Sequence, residues 1–132
     1  ITMLAFKMNG IERTFDASQE GLLDAQSLLE EFGDNPKAAV IQDEIISNIV
    51  RCSGAHTFTV KLIRNGNDLT MVFKDGGKAF DPLTDIADPD VKASVEDRGI
   101  GGLGIFMVKK MAKSVAYERV NDQNILTVTV AM

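Results

Sequence analysis

The chain is expected to fold as α/β, a two-layer sandwich with helices on one face of a mixed, mostly antiparallel sheet. Three observations point there. Segments rich in β-branched residues come in pairs around turn-forming residues, at Asn65-Gly66-Asn67 and at Asn121-Asp122-Gln123-Asn124. Between residues 19 and 52 apolar side chains recur with helical spacing. A further apolar-periodic helix separates the second strand pair from the last. Hairpin-linked strands are antiparallel, while strands linked through helices can be parallel, hence a mixed sheet. The length of 132 residues fits one domain, 1–132.

Each element has its own reason. Thr2 to Met8 carries β-compatible side chains, Asn9-Gly10 is a two-residue hairpin signal, and Ile11 to Phe15 returns. Asp16 is the expected N-cap of the first helix, with Gln19 reaching back to it. Leu22, Ala25, Leu29 and Phe32 form that helix's apolar stripe, and Gly33-Asp34-Asn35 ends it. Pro36 suits the first turn of a second helix, which runs to Cys52 with Ala38, Ile41, Ile45, Ile49 and Cys52 inward. Strands follow at Thr57 to Arg64 and Asp68 to Lys74. From Asp75 to Gly104 glycine, proline and aspartate are dense and periodicity is lost, the mark of a functional or disordered segment. Leu103 to Lys113 reads as a helix with Leu103, Phe106, Met107, Lys110 and Met111 on one face. Ser114 to Val120 and Ile125 to Met132 close the sheet.

Composition narrows the function. Hydrophobic residues make up 45% and charged residues 25%, enough for a core without covalent staples. A net charge of −5 argues against nucleic acid as a direct partner, because a phosphate backbone needs a basic surface. It leaves room for a small polyphosphate held by backbone amides and a metal. Cys52 is the single cysteine, so no intramolecular disulfide can form and a reducing compartment is expected. No apolar run reaches bilayer length and no secretory signal is visible, which points to a cytoplasmic protein with no membrane partner.

Three clusters carry chemistry. Glu44 and Asn48 are an i, i+4 pair, about 100° and 60° from the centre of the second helix's buried stripe, while Asp43 points away. At that edge a ligand reaches them and bulk water is restricted. The amide oxygen of Asn48 suits Mg²⁺, and Glu44 suits proton acceptance from a hydroxyl. Asp75 stands at a strand end, followed by Gly76, Gly77, Lys78, Ala79 and Phe80; such a carboxylate can accept from an exocyclic amine, with glycine allowing close approach of a base. Arg98-Gly99-Ile100-Gly101-Gly102-Leu103-Gly104 leads into a helix, offering free amides to an anion, with Arg98 placed to touch a phosphate or a partner. Taken singly, the clusters also fit blander uses: solvated helix residues, an Asp-Gly turn and a glycine hinge.

Together, Asp75 to Pro82 and Gly102 to Met111, with Tyr117-Glu118-Arg119, resemble the ATPase superfamily of gyrase, the heat-shock chaperone, histidine kinases and mismatch-repair proteins. Within it the chain is most similar to the small anti-sigma-factor serine/threonine kinases. The resemblance implies the Bergerat fold, ATP and Mg²⁺ as ligands, Glu44 as general base and Asn48 as the metal ligand. It further implies Asp75 as the adenine-binding acid, Gly77 and Ala79 as lining of the base pocket, and Gly102, Leu103 and Gly104 in the loop that wraps the triphosphate. Such kinases form homodimers, bind a sigma factor and phosphorylate a small anti-anti-sigma protein of the STAS type. Two positions depart from the pattern: Cys52 stands where members often carry histidine, and Ala79 replaces a glycine. Two other readings remain, a nucleotide-sensing anti-sigma module without catalysis and the catalytic domain of a sensor histidine kinase. His56, the only histidine, is expected to be structural or on the surface.

Overall fold

The computed structural model describes residues 10–33, 35–85 and 102–132. In chain order the elements are β1 (Gly10–Asp16), α1 (Gln19–Phe32), α2 (Pro36–Asn48) with a π-helical turn at Ile49–Ser53, β2 (Thr57–Asn65) and β3 (Asp68–Asp75). After them come the short α3 (Pro82–Asp85), α4 (Gly102–Met111), β4 (Ser114–Val120) and β5 (Gln123–Ala131). The expected strand from Thr2 to Met8 and its turn at Asn9 lie outside the described residues.

Five strands form one sheet in the order β1-β2-β3-β5-β4, and every described pair is antiparallel. The parallel pair allowed for by the sequence does not occur among them. Between β1 and β2 the chain passes through two helices, which return it to the end it left, so β2 runs against β1. From β3 it passes through α4 into β4, which runs the same way as β3, but β5 lies between the two.

Alternation decides which face is covered. Phe58, Val60 and Leu62 of β2, Leu69, Met71 and Phe73 of β3, and Leu126, Val128 and Val130 of β5 are buried on one side. Ala25, Leu28 and Leu29 of α1, Ala38, Ile41, Ile45 and Ile46 of α2, and Val108 of α4 join them in a single cluster. Each large side chain there contributes about 1.5–3 kcal/mol by leaving water. On α4 the buried residues are Ile105 and Val108, while Met107 and Lys110 are exposed. Of the face expected from Leu103, Phe106, Met107, Lys110 and Met111, the Leu103 side chain lies outside what is described and Met111 does pack partly buried on the core, but β-branched Ile105 and Val108 are buried in place of Met107, and Phe106 lies under the Lys110 ammonium, 5.3 Å from its ring centre.

Caps set where the helices begin. Ser18, not Asp16, is the N-cap of α1: its hydroxyl accepts from the Gly21 amide at 3.2 Å, and Asp16 is still paired in β1 opposite Thr57. Asn35 caps α2, its Oδ1 accepting from the amides of Lys37 and Ala38 at 3.0 and 3.2 Å, with Pro36 in the first turn. Ser18→Ala is expected to lower unfolding stability by about 1 kcal/mol and Asp16→Ala by less than half of that, measured as the midpoint shift in urea.

Candidate functional site

Antiparallel register builds the first part of the site. Asp75, last in β3, lies directly opposite Asn124 of β5, and both continue the core-facing rows of Phe73 and Leu126. A carboxylate there leaves water almost entirely, being 5% exposed, so it must find donors within the protein. Asp75 Oδ1 accepts from the Gly77 amide at 2.9 Å and from Asn124 Nδ2 at 3.0 Å. The same Asn124 Nδ2 donates to the Lys78 carbonyl at 2.8 Å, and Asn124 Oδ1 accepts from the Phe80 amide at 3.1 Å and the Tyr117 hydroxyl at 2.5 Å. Arg119 Nη1 donates to the Gly77 carbonyl at 2.8 Å, and the Lys78 amide to the Ser53 carbonyl at 2.8 Å. The connector after β3 is thus tied to β4, β5 and the end of α2.

Helix α2 supplies the second part. Asn48, 3% exposed, lines the same narrow cleft as Asp75, together with Ile49, Phe80, Tyr117 and Asn124. The cleft holds about 20 Å³. Beyond Asn48 the helix widens into the π-helical turn, and Arg51 folds back: its Nη2 donates to Asn48 Oδ1 at 2.7 Å and stands 3.9 Å from Glu44 Oε1. Glu44 faces a second, open recess of about 480 Å³ shared with Ser18, Gln19, Ser47, Arg51 and Gly104. There the helix N-terminus of α4 meets α2: a Cβ on Gly104 would stand 2.0 Å from the Glu44 carboxyl carbon, so only glycine lets the acid lie against that first turn. A helix N-terminus favours such a negative charge.

Asp75 and Asn48 thus line one cleft and Glu44 and Gly104 another, with Arg51 reaching from Glu44 to Asn48 between them. Other expected residues fall elsewhere. Gly77 and Ala79 are not among the residues lining the narrow cleft beside Asp75: Ala79 is exposed, and Gly77 is pressed on Ser53, whose carbonyl oxygen would lie 2.3 Å from an added Cβ. Phe80 and Pro82 form that wall instead. Gly102, Leu103 and Gly104 are not an open loop but the first turn of α4. Arg98 lies outside the described residues. Asp43 turns away from the site, accepting from Gln26 Nε2 at 2.9 Å, and His56 is exposed, its carbonyl accepting from the Ala17 amide.

The family of histidine kinase-like ATPase domains matches residues 17–130. The chain belongs to that family. No curated protein matches it. Among solved structures it is similar to the histidine kinase AdeS of Acinetobacter baumannii, at 16% identity and a TM-score of 0.56, over 92% of this chain and 68% of that one. A likeness at that identity speaks for the fold, and the five-stranded antiparallel sheet with its helices agrees with the Bergerat fold.

As a histidine kinase-like ATPase domain the chain is a kinase-like, ATP-binding unit. The family implies Mg²⁺ with the nucleotide, and the residues fit it in a particular way. Among the described residues no group of three or more His, Cys, Asp or Glu could hold a metal. What the site offers is one buried amide, its oxygen already gripped by the cationic Arg51 and its Nδ2 without a hydrogen-bond partner among the described residues. One oxygen ligand, with phosphates and water for the rest, is the usual protein share of Mg²⁺ coordination.

Asn124, Tyr117, Arg119 and Arg51 were not singled out as site residues from sequence. Tyr117 and Arg119 lay in the stretch that carried the resemblance, but nothing local in them says which carbonyl or amide they meet. The two glycines of the site differ in what a methyl would strike. Gly77→Ala pushes on backbone and should destabilise by roughly 1–3 kcal/mol, whereas Gly104→Ala pushes on the end of a flexible side chain and should cost under ~1 kcal/mol while displacing Glu44. Chemical denaturation of both variants checks the contrast.

Proposed function

We propose that this domain is an ATP-dependent serine/threonine protein kinase, acting as an anti-sigma factor or partner-switch regulator, with residues 1–132 working as one domain. It would move the γ-phosphate of ATP to a hydroxyl of a small anti-anti-sigma protein of the STAS type, in the cytoplasm and as a homodimer that also binds a sigma factor. The observation that carries this reading is Glu44: an acid one helical turn from Asn48, flanked by Arg51 and the start of α4, and open to a recess large enough for an incoming side chain.

In this reading Asp75 would accept from the exocyclic amine of the base, and Asn48, whose oxygen Arg51 grips here, would hold the metal. Bound Mg²⁺ supplies charge neutralisation on the phosphate oxygens. The first amides of α4 face the phosphates with the positive end of the helix dipole. Glu44 takes the proton of the acceptor hydroxyl as its oxygen bonds to the γ-phosphorus and the bond to ADP breaks. Most of the acceleration then comes from position and charge, not from covalent chemistry of the protein.

The likeness to AdeS favours a second reading, the catalytic domain of a histidine kinase, in which the acceptor is an imidazole. The linkage separates the two. With γ-labelled ATP and a STAS-type antagonist, a serine or threonine kinase leaves an acid-stable phosphoester on the antagonist. With a histidine-bearing acceptor domain of a histidine kinase supplied in a parallel reaction, acid-labile label marks a phosphoramidate on histidine, and no transfer to either acceptor leaves a nucleotide-sensing module. Glu44→Ala is expected to slow transfer about 10²–10⁴-fold while changing ATP affinity by less than about threefold. Wild-type transfer by that variant would remove Glu44 from the mechanism.

A further inference from the structure

The geometry points to Asn124 as the residue that makes the site selective for adenine over guanine, by leaving Asp75 a single oxygen to offer. This rests on the reading of Asp75 as the group that meets the base.

A carboxylate has two oxygens, each with about two acceptor positions. On Asp75, Oδ1 has both filled, by the Gly77 amide and by Asn124 Nδ2. Oδ2 has no hydrogen-bond partner among the described residues, and Asp75 is part of the cleft wall. The two purines differ in what they present to such a group. Adenine offers one donor site, its exocyclic amine, beside an acceptor nitrogen. Guanine offers two adjacent donors, N1–H and the 2-amino group, which match a carboxylate with both oxygens free in a two-pronged pair. With Oδ1 closed, the second guanine donor would be left buried and unpaired, and that is the strongest kind of discrimination a site can make.

Asn124 cannot turn aside to release Oδ1. Its amide makes four hydrogen bonds, and two of the partners are backbone groups of fixed polarity: the Phe80 amide can only donate and the Lys78 carbonyl can only accept. Those two set which end of the side chain is NH₂ and aim it at Asp75. The register that places Asn124 across from Asp75 fixes its distance. Tyr117 adds a bond to the far end of the same amide without touching Asp75.

Competition of ATP, GTP and ITP against a fluorescent ATP analogue, in magnesium buffer, tests this. ITP keeps N1–H but lacks the 2-amino group. For the wild type, GTP is expected to compete no better than ITP, within about threefold, because its extra donor finds no acceptor. In Asn124→Ser, GTP should gain about tenfold relative to both ITP and ATP. Tyr117→Phe loosens the same amide but leaves Oδ1 closed, so all three nucleotides should shift in parallel. The inference is overturned by a wild type that binds GTP tenfold tighter than ITP, by an unchanged GTP-to-ATP ratio in folded Asn124→Ser, or by a Tyr117→Phe ratio that moves as far. The wild-type comparison stands even where the serine variant does not fold. A wild type that takes up no ATP analogue at all sinks the underlying reading of Asp75 instead.

Discussion

The hydrogen bond between Asn124 and Asp75 is the constraint on which the rest of the site depends. It joins two adjacent strands at the end of their core-facing rows, where the sequence changes from apolar to polar without leaving the buried side. A buried carboxylate without hydrogen-bond donors is costly. Four donors and acceptors around Asn124 and two on Asp75 Oδ1 turn the liability into a fixed point. The connector after β3 then hangs from that point through Gly77, Lys78 and Phe80, so the position of the acid and the path of the chain past it are one decision.

Helix α2 answers the same problem from the other side of the cleft. Asn48 is buried with half its amide unpaired, and Arg51 covers the other half. The Glu44–Arg51 separation of 3.9 Å, with side chains 25% and 46% exposed, makes that ion pair weak. The protein thus meets these needs with its own charges: a guanidinium on the Asn48 oxygen, and the Glu44 carboxylate at the start of α4, where a helix end suits an anion.

Much of this could be read from the chain, and the failures share a cause. The stripe of Ala38, Ile41, Ile45 and Ile49 put Asn48 and Glu44 at the right edge of α2, because a long periodic helix fixes angles without knowledge of its neighbours. Asn124 was hidden by a turn. Residues 121–124 read as one turn, but Asn121 and Asp122 alone take left-handed angles, φ 50° and 62°, in a tight two-residue reversal. Strand β5 therefore begins at Gln123, and Asn124 becomes a strand residue opposite Asp75. The resemblance named Gly77 and Gly104 by their place in a motif, whereas in the structure each is required by what lies across from it: the Ser53 backbone in one case and Glu44 in the other. The cap of α1 moved from Asp16 to Ser18 because pairing with β2 claims Asp16 for the strand. Local chemistry names candidates; tertiary register chooses among them.

The same contacts say where a nucleotide must make its room. The cleft beside Asp75 holds about 20 Å³, space for one water molecule and far less than a purine ring. Asp75, Asn48 and Asn124 belong to β3, α2 and β5, whose backbones are locked by sheet and helix hydrogen bonds and whose side chains are 5%, 3% and 5% exposed. Phe80 belongs to the connector, where its amide donates to Asn124 Oδ1, while buried Pro82 opens α3, whose Leu83 amide donates to Asp81 Oδ1 at 2.9 Å. Packed elements resist deformation, while residues 76–80 between β3 and α3 are exposed or half-buried and yield more readily. On the proposed reading of Asp75, the polar groups held by the sheet and α2 keep their places, and room for a base comes from the side of Phe80 in the segment that follows β3.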